Sequence, residues 1–156
     1  MAQTAQHEIP LSPRVNLRSH EGVDDFLPRI VLADDQIELL QTVALLLVED
    51  FDVVGAIDNG TAAVELSARL CPDVVVMDIC MPTMSGIDAA LRLREIGCAA
   101  RIVFLTVHND PDFVEAAFSA GASGYVLKQF LATDLIPAIW AALEGHAYVS
   151  PALQFQ

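Results

Sequence analysis

Polar residues that could do chemistry stand at the ends of short apolar runs. Three aspartates, one threonine and the only lysine of the chain each come directly after such a run, namely Asp34 and Asp35, Asp78, Thr106 and Lys128. Carboxylates bind hard cations, whereas a hydroxyl and an ammonium group bind phosphoryl oxygens. These residue types are the parts that stabilise charge on a phosphoryl group during its transfer.

The three carboxylates would repel one another if the fold brought them together. At about 5 Å and an effective dielectric constant of about 20, each pair costs roughly 3 kcal/mol. One lysine cannot offset that repulsion, whereas a divalent cation can, and Mg²⁺ is the usual choice beside a phosphoryl ligand. We therefore predict a Mg²⁺ site at Asp34, Asp35 and Asp78, although one of the adjacent aspartates could instead cap the following helix.

Asp78 is the predicted nucleophile. It stands alone after a run of three valines and a methionine, whereas Asp34 and Asp35 are adjacent and suit metal binding. A carboxylate that attacks phosphorus forms an aspartyl phosphate. Lys128 follows another apolar run. At this position we interpret Lys128 as a cation directed at the carboxylates. The alternative is a lysine whose hydrocarbon stem packs on apolar surface while its ammonium group is in water.

The elements that must position these residues alternate along the chain. Short β-branched runs predict five strands, at 29–33, 52–57, 73–77, 101–105 and 124–127. Amphipathic runs predict five helices between and after them, at 37–49, 61–70, 85–96, 111–120 and 131–144. Strict alternation predicts an α/β fold, a doubly wound parallel sheet with the strand order 2-1-3-4-5. In that order strands 1, 3, 4 and 5 are neighbours, so their carboxyl ends deliver the polar residues to one crevice.

Local signals support these helix boundaries. Asp110 followed by Pro111 is typical of an N-cap and a first helical residue. Glycines stand where a left-handed residue would end three helices, at Gly97, Gly121 and Gly145. Pro137 is compatible with the last helix if that helix begins near Thr133, because first-turn amides have no helical acceptor.

Composition and charge exclude several classes of protein. The chain has 156 residues, of which 54% are hydrophobic, with 8 basic against 21 acidic residues and a net charge of −13. This predicts one globular domain plus a tail, and excludes a disordered chain and a basic nucleic-acid surface. The longest apolar run, 135–143, is too short to cross a bilayer, and the N-terminus lacks an apolar leader. Three cysteines without CxxC spacing, Cys71, Cys80 and Cys98, indicate reduced thiols and a cytoplasmic location.

The motifs around these positions resemble the receiver domain of two-component response regulators. The matching stretches are Val31-Leu32-Ala33-Asp34-Asp35, Met77-Asp78-Ile79-Cys80-Met81-Pro82-Thr83-Met84-Ser85-Gly86, Phe104-Leu105-Thr106 and Gly121-Ala122-Ser123-Gly124-Tyr125-Val126-Leu127-Lys128. The resemblance covers roughly four-fifths of the chain. It implies a flavodoxin-like (CheY-like) fold. The segment at 142–151 looks like the end of a receiver of the NarL/FixJ subfamily.

The resemblance implies a role for each matching residue. Asp78 matches the phosphoacceptor, and the other matches are the acidic metal pair Asp34 and Asp35, the switch hydroxyl Thr106, the switch aromatic Tyr125 and the phosphate-binding Lys128. The backbone carbonyl of Cys80 would complete the Mg²⁺ site. The implied phosphodonor is a histidine kinase or a phosphotransfer protein, and a homodimer is possible. The domain would catalyse its own phosphotransfer and dephosphorylation and would not be a conventional turnover enzyme.

The resemblance also predicts a division of the chain. Residues 1–28 form an N-terminal extension, flexible or loosely docked, 29–150 the receiver, and 151–156 the start of a linker. A helix-turn-helix output domain that controls transcription normally follows, so we expect a truncated chain in preference to a stand-alone receiver. No direct contact with nucleic acid or membrane is expected of this chain. Departures from the family are the side chain of Cys80, the presence of Gln129, not proline, after Lys128, and the 28-residue N-terminal extension, which lies outside the family pattern. His108 is predicted to be a solvent-facing loop residue; the alternative is that, two residues past Thr106, it flanks the site and adjusts hydrolysis.

Three other functions are open at this point. A phosphatase with an aspartyl-phosphate intermediate would carry an Asp-x-Asp motif after its first strand, whereas Asp34-Asp35 is followed by Gln36. A phosphorylation-independent receiver acting as an interaction module would not need the complete set of polar residues. A flavin-binding module would need a phosphate loop rich in serine, threonine and glycine at that position, and the acidic doublet would repel phosphate.

Overall fold

A parallel sheet with helices on both faces forms the structure. The computed structural model describes residues 8–9 and 27–154. Its strands are β1 (Arg29–Ala33), β2 (Asp52–Ile57), β3 (Val74–Met77), β4 (Arg101–Thr106), β5 (Gly124–Leu127) and β6 (Tyr148–Val149). Its α-helices are α1 (Ile37–Leu47), α2 (Gly60–Leu70), α3 (Gly86–Glu95), α4 (Pro111–Ser119) and α5 (Leu131–Leu143). Short 3₁₀ turns cover Lys128–Phe130 and Pro151–Leu153.

The strand order is β2-β1-β3-β4-β5-β6, and each neighbouring pair is parallel. The predicted core order 2-1-3-4-5 is therefore confirmed, as are the five helices. The sixth strand is a difference from the prediction. It has two residues, too few to show an alternating pattern in sequence, and it exists because it pairs with β5 at Gly124 and Tyr125.

Two hydrophobic layers hold the sheet, one on each face. Val31, Val75 and Phe104 point to the layer that contains α2, α3 and α4, and their strand neighbours Leu32 and Val76 point to the layer of α1 and α5. Both layers are buried, which explains why the strands are continuous apolar runs without alternation. The carboxyl ends of the strands are therefore fixed by a core on either side.

The helix boundaries agree with the predictions within two residues. Asp110 caps α4 by accepting a hydrogen bond from the amide of Asp112 at 2.8 Å, with Pro111 as the first helical residue. Positive φ angles follow three helices at the predicted positions, Gly97 (78°), Gly121 (99°) and Gly145 (82°). Cys71 adopts the same left-handed region after α2, with φ of 48°, which its residue type did not predict.

Pro137 does not lie in the first turn of the last helix, contrary to the condition under which the sequence made it compatible with that helix. Helix α5 begins at Leu131 and not near Thr133, so Pro137 lies inside the helix, beyond its first turn. The ring removes the amide that would bond to the carbonyl of Thr133. Both residues are exposed, so water can hydrate that carbonyl.

Two residues of the N-terminal extension contact the domain. The amide of Ile9 donates to the carbonyl of Ala56 in the edge strand β2 at 3.2 Å, and Glu8 pairs with Arg69 of α2 at 3.1 Å. Residues 1–7 and 10–26 of the predicted extension, and 155–156 of the predicted linker, lie outside the described residues. Among the helices described, none is both long and apolar enough to span a bilayer.

Candidate functional site

The ends of β1 and β3 bring the three aspartates together. Ala33 and Met77, the last residues of these strands, are paired in register, and the amide of Asp78 donates to the carbonyl of Ala33 at 3.0 Å. Carboxylate oxygens of Asp34, Asp35 and Asp78 all lie within 4.8 Å of one another. Asp34 and Asp78 are buried, whereas Asp35 is exposed. The cluster therefore combines two shielded carboxylates with one open to solvent.

Lys128 reaches this cluster from the end of β5. Its Nζ lies 2.8 Å from Asp34 Oδ2 and 2.9 Å from Asp78 Oδ2, and its side chain is only 11% exposed. Burial acts to lower the pKa of Lys128, but its contacts with Asp34 and Asp78 and their negative charges outweigh burial and raise the pKa. The ammonium group is therefore held in its charged form between two carboxylates. Gln36 also contacts Nζ through Oε1 at 3.3 Å, a contact that the sequence did not predict.

The two oxygens of Asp34 have different partners. Oδ1 accepts from the amide of Gln36 at 2.8 Å. Oδ2 is buried, and its partner is the ammonium group of Lys128, 2.8 Å away. Burial raises the pKa of Asp34, the contacts with Lys128 and the Gln36 amide lower it, and the net direction is upward. A cluster in which three carboxylates face a single ammonium group suits a hard cation such as Mg²⁺.

Asp78 is held by its own loop. Its Oδ1 accepts from the amide of Ile79 at 2.7 Å, while Oδ2 faces Lys128. The loop closes over Asp78 because the amide of Gly86 donates to the carbonyl of Ile79 at 2.6 Å. A Cβ at Gly86 would lie 2.1 Å from the carbonyl oxygen of Asp78, so only glycine fits this approach.

Thr106 and Tyr125 meet at the backbone of His108. Thr106, buried at the end of β4, accepts from the amide of His108 at 3.3 Å through Oγ1. The hydroxyl of Tyr125 donates to the carbonyl of His108 at 2.7 Å. Burial, followed by the charges of Asp78 and Asp110, raises the pKa of Tyr125. Both predicted switch residues therefore contact the same loop, the one that follows β4.

His108 itself is not the solvent-facing residue that the sequence predicted. It is partly buried, and its ring stacks on Phe113 with centroids 4.3 Å apart. Its Nε2 lies 3.0 Å from Sγ of Cys80, which is exposed on the loop after β3. The contact joins two loops at the mouth of the site. Cys80 lies two positions after Asp78, and His108 lies two positions after Thr106. This equal spacing could have indicated the contact between them.

Comparisons with known proteins agree with this geometry. Residues 30–140 match the family model of the response regulator receiver domain. The uncharacterized transcriptional regulatory protein YvfU of Bacillus subtilis (strain 168) is 40% identical over 129 residues, which cover 81% of this chain and 64% of YvfU. The nitrate/nitrite response regulator protein NarL of Escherichia coli (strain K12) is 36% identical over 129 residues, which cover 81% of this chain and 60% of NarL.

A solved structure of a response regulator has the same fold as this chain. The crystal structure of a two-component response regulator of the LuxR family from Aurantimonas sp. SI85-9A1 superposes with a TM-score of 0.79 and 35% identity, covering 83% of this chain and 94% of that one. The present chain spans about three-fifths of the length of the curated relatives described above. It belongs to the response regulator receiver domain family, with relatives of the NarL/LuxR type.

Proposed function

We propose that this chain is a phosphoacceptor that receives a phosphoryl group on Asp78 from a histidine kinase or a phosphotransfer protein, in a Mg²⁺-dependent reaction. One observation carries the proposal. The Nζ of Lys128 lies 2.9 Å from Asp78 Oδ2 inside a cluster whose three carboxylates have oxygens within 4.8 Å of one another. This combination of an under-neutralised carboxylate cluster and one cation matches the requirements of phosphoryl transfer.

Asp78 is the proposed nucleophile because its position and contacts suit attack. A carboxylate oxygen forms a bond to phosphorus as the bond from phosphorus to the donor's histidine nitrogen breaks, and the electron pair leaves with that nitrogen. The Ile79 amide orients one oxygen of Asp78, and Lys128 faces the other. Lys128 would then bind an oxygen of the transferred group, because its charge is already held at that place.

Asp34, Asp35, Asp78 and the backbone carbonyl of Cys80 would hold the Mg²⁺ ion. The ion would neutralise the carboxylates and bind an oxygen of the phosphoryl group. The residues fit this role because three carboxylates have oxygens within 4.8 Å of one another and Asp35 is open to solvent. A single ammonium group leaves the cluster with excess negative charge, which favours binding of a divalent cation.

Thr106 and Tyr125 are the proposed switch. A phosphoryl group adds about −1.5 to −2 charge, which Thr106 and Lys128 would bind. Movement of Thr106 would pull the loop containing His108, to which Tyr125 is bonded. The surface of α4, β5 and α5 would then change and be recognised by an output domain or a second receiver. Since YvfU is described as a transcriptional regulatory protein, the output we propose is transcription, through a domain beyond this chain.

Labelling with a small acyl phosphate tests the proposal. Incubation with acetyl phosphate and Mg²⁺ should add the mass of one phosphoryl group, and Asp78→Asn should abolish the addition. Asp112→Asn, at an exposed position on α4, is the matched control and should label like the unaltered chain. Undiminished labelling of Asp78→Asn would refute the assignment. No labelling of the unaltered chain would favour a phosphorylation-independent module, and rapid turnover of a phosphomonoester would favour a phosphatase.

A further inference from the structure

A second buried carboxylate lies outside the aspartate cluster, in the first turn of α5. Asp134 is only 8% exposed, and its bonded partners are neutral hydroxyl groups. Ser150, which is fully buried, donates to Asp134 Oδ2 at 2.8 Å. Thr133 Oγ1 lies 3.1 Å from Asp134 Oδ1. A buried carboxylate with specific donors holds those donors in place, because an unpaired partner would be costly.

The two hydroxyl groups also bind the backbone on either side of Lys128. The amide of Leu127 donates to Ser150 Oγ at 3.0 Å, and Thr133 Oγ1 lies 3.2 Å from the carbonyl oxygen of Phe130. Leu127 and Phe130 flank Lys128 and Gln129 in the turn between β5 and α5. Ser150 therefore ties the Leu127 end of this turn to Asp134, because it accepts from the Leu127 amide and donates to the carboxylate. The Thr133 hydroxyl has a single hydrogen, so it donates either to the Phe130 carbonyl or to Asp134.

We propose that Asp134 and Ser150 are positioning residues that fix the Leu127–Phe130 turn and thereby hold the ammonium group of Lys128 against Asp78. This inference rests on the proposed function. A lysine carries its charge on a flexible four-carbon stem, so its reach is precise only if its backbone is fixed. Gln129 does not restrict the backbone as a proline would, so in this chain the restriction comes from the hydroxyl groups.

The same contacts bind the segment that leads toward the C-terminus. The amide of Ser150 donates to the carbonyl of Tyr125 at 2.9 Å, and β6 pairs with β5 at that point. Burial, followed by the charge of Asp134 and a hydrogen bond to it, raises the pKa of Tyr148. The network therefore connects the C-terminal segment to the strand that carries both Tyr125 and, at its end, Lys128.

A double-mutant cycle tests whether Ser150 acts through Lys128. The rate of labelling of Asp78 by acetyl phosphate with Mg²⁺ is measured for the unaltered chain, Ser150→Ala, Lys128→Met and the double variant. We expect Ser150→Ala to slow labelling about tenfold when Lys128 is present, since a small misplacement of a reacting group has large effects. In the Lys128→Met background the same change should alter the rate less than about twofold. Equal slowing in both backgrounds would overturn the proposal.

Two further variants keep the test decisive if Ser150→Ala folds poorly. Thr133→Val removes an exposed hydroxyl with little change of shape, and should slow labelling several-fold only when Lys128 is present. Ser67→Ala is the matched control, because the buried Ser67 hydroxyl has no hydrogen-bond partner in the described residues. Its rate should equal that of the unaltered chain. Suppose that Thr133→Val and Ser150→Ala label Asp78 at the same rate as the unaltered chain and Ser67→Ala. The positioning role then fails, and the proposed function stands. If the unaltered chain does not label, the proposed function fails.

Discussion

The ammonium nitrogen of Lys128 lies 2.9 Å from Oδ2 of Asp78, a residue 50 positions earlier in the chain. It also lies 2.8 Å from Oδ2 of Asp34, so a single cation is inserted between two buried carboxylates. The free energy of folding and the proposed phosphoryl transfer depend on the same charges. The folded state must hold the three carboxylates and the ammonium group close together, and these groups would also act on a phosphoryl group. Removing or adding a cation should therefore alter both.

Lys128→Met should destabilise the fold. The change leaves the buried carboxylates of Asp34 and Asp78 facing each other without their cation, and we expect a loss of about 3 kcal/mol in the free energy of unfolding. Mg²⁺ should recover more stability in this variant than in the unaltered chain, because it replaces the missing charge. Urea unfolding with and without Mg²⁺ measures both effects.

Arg69→Met is the matched control for that experiment. Arg69 pairs with Glu8 in an ion pair in which both side chains are more than half exposed, and such pairs contribute little to stability. We expect almost no change in unfolding and no added effect of Mg²⁺. A Lys128→Met variant as stable as this control would contradict the electrostatic account of the site.

Gly86→Ala should damage the loop that follows β3 and carries Asp78. Its Cβ would lie 2.1 Å from the backbone oxygen of Asp78, so the loop must move, at an expected loss of about 2 kcal/mol in stability. Labelling of Asp78 by acetyl phosphate should slow at the same time. Gly97→Ala is the comparison, since its φ is +78° but, beyond its own chain neighbours, no atom of residues 8–9 and 27–154 lies within 4 Å of its Cβ. That variant should lose about 1 kcal/mol and label normally, and equal labelling by the two variants would argue against a crowding effect at Asp78.

The two tyrosines of the chain should resist ionisation. Burial is the main cause that raises the pKa of both Tyr125 and Tyr148. A tyrosine with a raised folded-state pKa contributes stability that is complete below its unfolded value of about 10 and is lost as pH rises through the folded value. Phenolate absorbance should therefore appear above pH of about 10, and for Tyr125 it should coincide with unfolding.

Single-tyrosine variants separate the two signals of that titration. Tyr148→Phe leaves only Tyr125, which is fully buried, and Tyr125→Phe leaves only the partly buried Tyr148. We expect the signal of Tyr148 to appear at lower pH than that of Tyr125. Ionisation of Tyr125 at the pH of a free tyrosine, with circular dichroism unchanged, would disprove the burial argument.

Pro137→Ala should stabilise the domain. Pro137 lies inside α5 on an exposed position, so alanine restores a helical amide without leaving a cavity. We expect a gain of about 1 to 2 kcal/mol, below the full proline penalty because alanine also leaves the unfolded chain more freedom. Pro111→Ala is the control, since the first residue of α4 has no helical acceptor for its amide, and it should give no gain. Equal gains at both positions would point to a cause other than the restored hydrogen bond.

Local patterns in the sequence were sufficient to predict the core of the fold. Strict alternation of β-branched and amphipathic runs predicted five strands, five helices and the order 2-1-3-4-5. The spacing of apolar residues reflects the backbone geometry of the strand or helix that contains them, and parallel strands need helical crossovers between them. The polar residues at the strand ends were predicted to meet for the same reason. Their chemical roles are still predictions, to be tested by the labelling experiments.

Contacts between distant side chains were decided only by the tertiary structure. The bond from Ser150 to Asp134 joins segments whose local sequence carries no sign of the partner. The pairing of Cys80 with His108 has only the equal spacing after Asp78 and Thr106 as a sign in the sequence. Strand β6 exists only because the edge of β5 offers backbone partners, and the position of Pro137 inside α5 is compatible with water at an exposed carbonyl. Periodicity describes a residue's own backbone, whereas a hydrogen bond depends on where packing places two chain segments relative to each other.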